Sequence, residues 1–374
     1  MLIRTALAGL AAAAVAAAGI LPAAAAPDPV KIRIASDHTP PPHPAALAEI
    51  LFQERLAEEI PGSEVLLFPS KALYSVPEAV EAMTEGNLEM TWGQFGKTAQ
   101  IDPFMAVVVG PMLLTTPGAI DAIDGFETYA MLVKRFEDLH NIKIFGSAHL
   151  SFYMGAGSGS RLLKPEDFAG RKIRSMSPVE NAALSAWGAN PTTMAFGDVP
   201  PALETGVIDG LLTSLGGFNV VKDQAPFFTV AGINGIVGDY YWIGASMSWW
   251  NSLDSEQQAI VERLIVEEML PFAKKANWCN DKRMIDKYGT EDPSKPGIYI
   301  MTADEAGVLA DALGSGTADH IKKSTPGEAD EWVDKFAMEA KAAVAANPMG
   351  SHWLEETDCS EIEPWFERFA KKKK

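Results

Sequence analysis

The chain has 374 residues, 47% of them hydrophobic and 21% charged, and carries a net charge of −18. That length exceeds one ordinary core and calls for two lobes, while the composition describes a soluble globular protein without long disorder. So acidic a surface argues against nucleic acid and anionic membrane as partners, and makes any cation inside a cleft stand out.

The first residues read differently from the rest. Met1–Arg4 is a short basic start, Ala6–Leu21 an apolar run rich in Ala, and Ala23–Ala26 a stretch of small residues of the A-x-A type. That order describes a secretory leader over 1–26, cleaved after Ala25 or Ala26. The apolar run is short for a membrane span, and no Cys sits at the cleavage region to carry a lipid. Its removal takes one Arg and no acid, so the net charge moves from −18 to −19. At the other end, Lys371–Lys374 reads as a solvated tail.

Ile32 and Ile34 alternate with Lys31 and Arg33, which predicts a strand over Lys31–Ser36. Pro40–Pro44 breaks the chain. A helix over 45–60 follows, apolar at Leu47, Ile50, Leu51 and Leu56, and it stops at Pro61-Gly62. Glu64–Phe68 is the next strand. Strand, helix, strand is a parallel crossover unit and points to the α/β class. A helix over 77–84 then stops at Gly86 and feeds a strand over 88–92. The same grammar returns later: Val76-Pro77, Gly86 and Leu88-Glu89 are echoed by Val199-Pro200, Gly206 and Ile208-Asp209. Any amphipathic helix ending in Gly before a strand looks like this. The alternative is two similarly built lobes, each aiming a strand end at a shared cleft.

Residues 141–145 and 152–154 are apolar enough for strands, and the small-residue run Gly155–Ser160 reads as a strand-to-loop connection. The C-terminal third is helical over 255–277, 303–313 and 328–346. The first of these opens on a capping signal at Asp254-Ser255 with Gln257 and Gln258 nearby, and these helices offer faces for a homodimer. Cys279 and Cys359 are the two cysteines. In an oxidising compartment they suit a disulfide that clips the C-terminal tail to the helix near Trp278; two buried free thiols are the alternative. Neither has a Cys or His at ligand spacing, so no metal site is expected.

Catalytic and cofactor signatures are missing: no G-x-S-x-G, no H-E-x-x-H, no C-x-x-C and no P-loop. The run Gly155–Ser160 lacks the third Gly of a dinucleotide fingerprint, so no cofactor is expected. His38 and His43 flank prolines and look like loop residues. One segment is informative. Lys164-Pro165 with Glu166 and Asp167 starts a short helix, and 172–176 ends the segment as a strand. On that strand Ile173 and Arg174 point to opposite faces, so an Ile173 in the core turns Arg174 toward solvent or a cleft. The planar fork of Arg suits a carboxylate.

From Lys31 to about Ile265 the chain resembles the DctP-type extracytoplasmic solute-binding subunits of tripartite ATP-independent periplasmic (TRAP) transporters. The matching text is Leu163–Arg174 (LKPEDFAGRKIR), Gly188–Pro191 (GANP), Met194–Val199 (MAFGDV), Ala202–Gly210 (ALETGVIDG) and Trp250–Gln258 (WNSLDSEQQ). The resemblance implies a two-lobed, periplasmic-binding-protein-like α/β fold with hinge strands, a long connecting helix and a helical C-terminal region. In this chain that places lobe I at 30–151 and 239–279, lobe II at 152–238 and 280–345, and a C-terminal extension at 346–374. It implies periplasmic capture of a small carboxylate by hinge closure, without chemistry, and delivery to integral-membrane TRAP permease subunits.

Arg174 falls on the family's carboxylate-clasping arginine. A second arginine of many members aligns here with Met154, beside Tyr153, and an Asn aligns near Thr213, with Ser214 next to it. One charge and one amide are thereby lost, which favours a monocarboxylate or a bulkier, less polar acid. Among nearby aromatics Trp92 and Tyr241 are the better ligand contacts, with Phe218, Tyr240 and Trp242 close to the expected crossing. Asp239 is the position at which some keto-acid-binding members pair an acid with a cation, and a carboxylate there needs a cation or a ligand ammonium group to be tolerable. A secreted α/β enzyme using the same cleft, and a receptor module for another protein, are the competing functions.

Overall fold

Two mixed sheets carry the fold. The structure, a computed structural model, describes residues 27–325, 327 and 329–370; the expected leader, Glu328 at the expected helix start and the tail Lys371–Lys374 lie outside them. The first sheet holds β1 (Lys31–Ser36), β2 (Glu64–Phe68), β3 (Met90–Gln94), β4 (Ile142–His149) and β10 (Tyr240–Ser246), in the order β2-β1-β3-β10-β4. The second holds β5 (Gly155–Ser158), β6 (Lys172–Ser175), β7 (Asn190–Thr193), β8 (Gly210–Thr213), β9 (Phe227–Val230) and β11 (Gly297–Ile300), in the order β11-β9-β5-β8-β6-β7.

β1 runs parallel to β2 and β3, and β6 parallel to β7 and β8. The antiparallel members are β10 in the first sheet and β5 in the second. These are the two strands whose chain arrives from the other lobe, β5 directly after β4 and β10 after β9. The chain therefore crosses between lobes twice, and each crossing strand is built into the sheet it enters.

The Pro44–Glu59 helix opens with Pro in its first turn, and the side chain of His43 accepts from the Ala45 N–H. It buries Leu47, Phe52 and Leu56. Helices Val76–Thr84 and Val199–Glu204 both run into glycines with positive φ, Gly86 at +76° and Gly206 at +70°. Each then turns into a strand, β3 or β8, whose last residue, Gln94 or Thr213, lines one shared cavity. The repeated grammar is thus a repeated structural unit.

The long connection between lobes is a continuous helical run: Ser255–Arg263, a π-helical turn Leu264–Met269, and Leu270–Tyr288. Leu270 donates back to Ile265, and Pro271, which has no N–H to give, follows directly; widening the turn is one way a helix accommodates proline. The run passes the expected end at Asn277 because Met284 is buried in the second lobe's apolar cluster with Leu215, Phe218 and Phe228.

Three expectations change. Residues 152–154 are not a strand, since the Phe152 and Tyr153 N–H groups donate to the Asp281 carboxylate and not to a sheet neighbour. The strand is the glycine run itself: β5 lies between β8 and β9, and a Cβ on Gly155 would come within 2.1 Å of the Thr229 carbonyl oxygen. The Asp330–Ala346 helix, expected with the second lobe, packs on the first. Its Val333, Phe336 and Ala340 join the cluster of Phe104 and Tyr129, and Glu339 accepts from the N–H groups of Glu127 and Thr128.

Candidate functional site

A cavity of about 200 Å³ lies between the lobes. It sits where β1, β3, β6 and β8 end, the position at which open α/β sheets offer ligand sites. The residues following β1 (Asp37, His38) and the end of β3 (Gln94) face Arg174 and Met176 of the β6 region, Thr213 at the end of β8 and Ser214 just past it. The long helix supplies Asn280, Arg283 and Met284.

Arg174 is the unusual member. Ile173 is fully buried in the core, so alternation turns Arg174 to the other face, where it is 1% exposed. Its Nε donates to the Met194 carbonyl and its Nη1 to the Leu212 carbonyl, each at 2.9 Å. Neither bond uses Nη2. Among the described residues Arg174 forms no ion pair with an acid within 4.0 Å. Burial pushes its guanidinium pKa down to about 10, and the field of Glu180 opposes the shift. A buried cation held by carbonyl dipoles alone is unfinished electrostatically, and the wall of a cavity is where an anion would complete it.

Other basic side chains at the cavity already lie against acids. Lys97 Nζ lies 2.8 Å from Asp37 Oδ2. His38 Nε2 lies 3.2 Å from Glu49 Oε2, both side chains being buried, and 3.2 Å from Ser36 Oγ. Arg283 approaches Glu363 at 3.5 Å. His43 stacks on His38 with ring centroids 5.1 Å apart, and burial, then the His38 field, lowers its pKa well below the ordinary imidazole value.

Of the residues singled out in the sequence, Arg174, Met154, Thr213, Ser214 and Tyr241 line the cavity together. Trp92 does not; it lies one strand pair deeper than Gln94, behind the Tyr241 ring at 5.9 Å. Tyr153 is turned away from its neighbour Met154, toward Trp278 at 6.2 Å. Phe218 packs on Phe228 at 4.9 Å inside the second lobe, while Gly216, Gly217 and Val220 of the same helix line the cavity. Tyr240 and Trp242 are buried in the first lobe's core.

Asp239 also stays out of the cavity lining. It accepts from Gln94 Nε2 at 2.8 Å, the Gly96 N–H at 3.1 Å and the Tyr240 N–H at 2.8 Å. Burial raises its pKa to about 6 against those three donors. The protein's own donors serve this carboxylate, and no cluster of three or more metal-binding side chains occurs among the described residues.

Most of the cavity lining carried no functional signal in the sequence, His38, His43, Lys97, Arg283 and Phe366 among it. His38 was discoverable from its place just past β1, beside the strand ends that build such sites. Phe366, from the C-terminal extension, was not. The extension is fastened by the Cys279–Cys359 disulfide, with an S–S distance of 2.05 Å.

Comparison with known proteins agrees with this architecture. The family model described as bacterial extracellular solute-binding protein, family 7 (DctP), matches residues 35–294. The C4-dicarboxylate-binding periplasmic protein DctP of Vibrio cholerae is 27% identical, over 87% of this chain and 94% of that protein. The 2,3-diketo-L-gulonate-binding periplasmic protein YiaO of Escherichia coli is 26% identical, over 75% of this chain and 82% of its own length. Among solved structures, the sugar acid binding protein DctPAm of Advenella mimigardefordensis with galactonate superposes with a TM-score of 0.73 at 18% identity, covering 85% of this chain and 99% of that one. A TRAP periplasmic solute binding protein of Sulfurospirillum deleyianum with succinate gives 0.71 at 22% identity, over 83% and 98%. The family match spans well over half of the sequence, and the chain belongs to family 7 of the bacterial extracellular solute-binding proteins, the DctP family.

Proposed function

We propose that this protein captures a small carboxylate in the interlobe cavity, in the periplasm after loss of its leader, and hands it unaltered to TRAP membrane subunits. The observation that carries this reading is the buried Arg174 guanidinium, bonded to two carbonyls and facing a cavity with no carboxylate paired to it among the described residues. A ligand carboxylate supplies the missing charge. Closure of the lobes keeps water from the pair and so strengthens it. Succinate, galactonate and galacturonate in similar solved structures are all acids, which supports the ligand class. Because Lys97, His38 and Arg283 each have an acidic partner, one carboxylate is the natural complement of this cavity.

The test is titration of the protein with an organic-acid library, read by tryptophan fluorescence and thermal shift. Hydrogen bonds to a charged group contribute about 1.5–3 kcal/mol each, so Arg174→Ala is expected to weaken the best acid at least about 30-fold. Arg174→Lys, which keeps the charge and loses the fork, is expected to cost about tenfold. Unchanged affinity in both variants, with folding intact, would remove the assignment. Recovery of the acid unchanged after long incubation is also expected; a new product would point to an enzyme in the same cleft.

A further inference from the structure

The cavity is closed on one side by a segment that lies outside the family match. Residues 35–294 carry that match, yet Phe366, on the short helix Glu363–Arg368, lines the cavity together with His43 and Pro44 of the first lobe and Arg283 and Met284 of the long helix. Phe366 is only 2% exposed and packs with Leu47, Ala276, Cys279 and Ile362. The Arg283 guanidinium lies over its ring, 4.9 Å from the centroid, and Glu363 on the same helix lies 3.5 Å from Arg283.

The attachment is firm at several points. The Cys279–Cys359 disulfide joins the segment to the long helix. Lys275 pairs with Glu361, and Trp365 packs edge-on against Phe272 with centroids 5.0 Å apart. Arg368 Nη2 reaches Glu54 Oε1 of the Pro44–Glu59 helix at 2.7 Å. The segment therefore spans from the long helix to the first lobe, and its one aromatic ring in the cavity is held in place from both sides.

We propose that residues 359–369 form a fixed wall of the ligand cavity and that Phe366, stiffened by Arg283, selects acids that carry an apolar body. This rests on the carboxylate reading above and narrows it. Arg174 takes the carboxylate, and the rest of the ligand meets Met154, Met176, Phe196, Met284 and Phe366, all of which line the same cavity. A rigid aromatic ring gives contact area at small entropic cost, whereas a short polar diacid leaves that surface uncovered.

The experiment measures affinities of succinate, hexanoate, phenylacetate and 3-phenylpropanoate by calorimetry. It uses the wild-type protein, Phe366→Ala, Phe366→Leu, Cys279→Ser/Cys359→Ser, and wild type after mild reduction. Wild type is expected to bind the apolar acids at least about tenfold more tightly than succinate, and that ratio is expected to fall about tenfold in Phe366→Ala, within the range typical for apolar pockets. The two disulfide-free forms are expected to show the same fall, and Phe366→Leu a smaller one. Should Phe366→Ala fail to fold, reduction of the wild-type protein and Phe366→Leu still read the wall. Acid binding that depends on Arg174 but shows the same ratio in every form overturns the wall and leaves the carboxylate reading standing. No binding of any acid to wild type overturns both.

Discussion

Glu180 and Asp239 approach each other from opposite lobes, Glu180 at the start of the Glu180–Ala186 helix and Asp239 at the base of β10. Gly96 sits tightly against Asp239 and Ser177: a Cβ there would meet Ser177 Oγ at 2.5 Å and Asp239 Oδ2 at 2.6 Å. The two carboxyls are unequally served. Asp239 has three donors, whereas Glu180 accepts only from the Met176 N–H at 2.7 Å, and its Oε1 is buried without a partner among the described residues. The proton therefore belongs on Glu180, whose pKa burial and then the Asp239 charge raise to about 7. An acid raised in the folded state stabilises below its unfolded value, here 4.5, and that contribution is lost as pH climbs through about 7. The shift corresponds to about 3 kcal/mol. Urea midpoints measured from pH 4.5 to 8 are expected to fall for wild type and to be flatter by about that amount in Glu180→Gln; parallel curves would show that Glu180 titrates normally. Legibility at this scale is uneven. Arg174 could be read because a strand's alternation with Ile173 fixes its face, while the charge state of Glu180 depends on Asp239, 59 positions away in the chain, and on no local pattern.

The glycine run shows where element-scale reading stops. A strand is recognised by alternation of apolar and polar side chains, and Gly155–Ser158 has almost no side chains to alternate. The signal lies across the sheet, where Gly155 would place a Cβ 2.1 Å from the Thr229 carbonyl oxygen and 2.8 Å from the Phe228 ring. Helices were easier: Pro44–Glu59 and Ala303–Leu313 follow the 3.6-residue period and their caps to within a residue. Gly155→Ala is expected to destabilise by at least about 3 kcal/mol, because neither a backbone oxygen nor a packed ring can yield the space. Gly159, just past the strand, has nothing within 4 Å of its Cβ position, and Gly159→Ala is expected to stay within about 0.5 kcal/mol of wild type. Chemical denaturation of the pair decides it, and equal costs would mean that the close crossing has no energetic weight.

At the scale of the whole molecule, the lobe closure proposed above needs a pivot that does not itself come apart. The α/β class, the two-lobed plan and the long helix were legible from crossover units and motif order, but the pivot was not, since its groups are dispersed. It is built around Asp281 of the long helix, which accepts from Ser151 Oγ at 2.9 Å, the Phe152 N–H at 2.7 Å and the Tyr153 N–H at 3.1 Å. One turn earlier, Asn277 Nδ2 donates to the His149 carbonyl at 2.9 Å. These partners lie at the end of β4 (His149) and in the link from β4 to β5 (Ser151, Phe152 and Tyr153), where the chain leaves one sheet for the other. The crossing is therefore tied to the helix by one carboxylate, and burial raises its pKa to about 6 against the donors that hold it. Asp281→Ala strands two buried N–H groups, a cost of about 2–5 kcal/mol. Hydrogen exchange separates this role from ordinary packing. The amides of Phe152 and Tyr153 are expected to lose protection at least about tenfold, while those of β1 and β6, far from the pivot, follow only the global change in stability. A uniform loss over all three segments would mean that Asp281 supports the fold without tying the crossing, and a hinge would then have to be sought in the second crossing between β9 and β10.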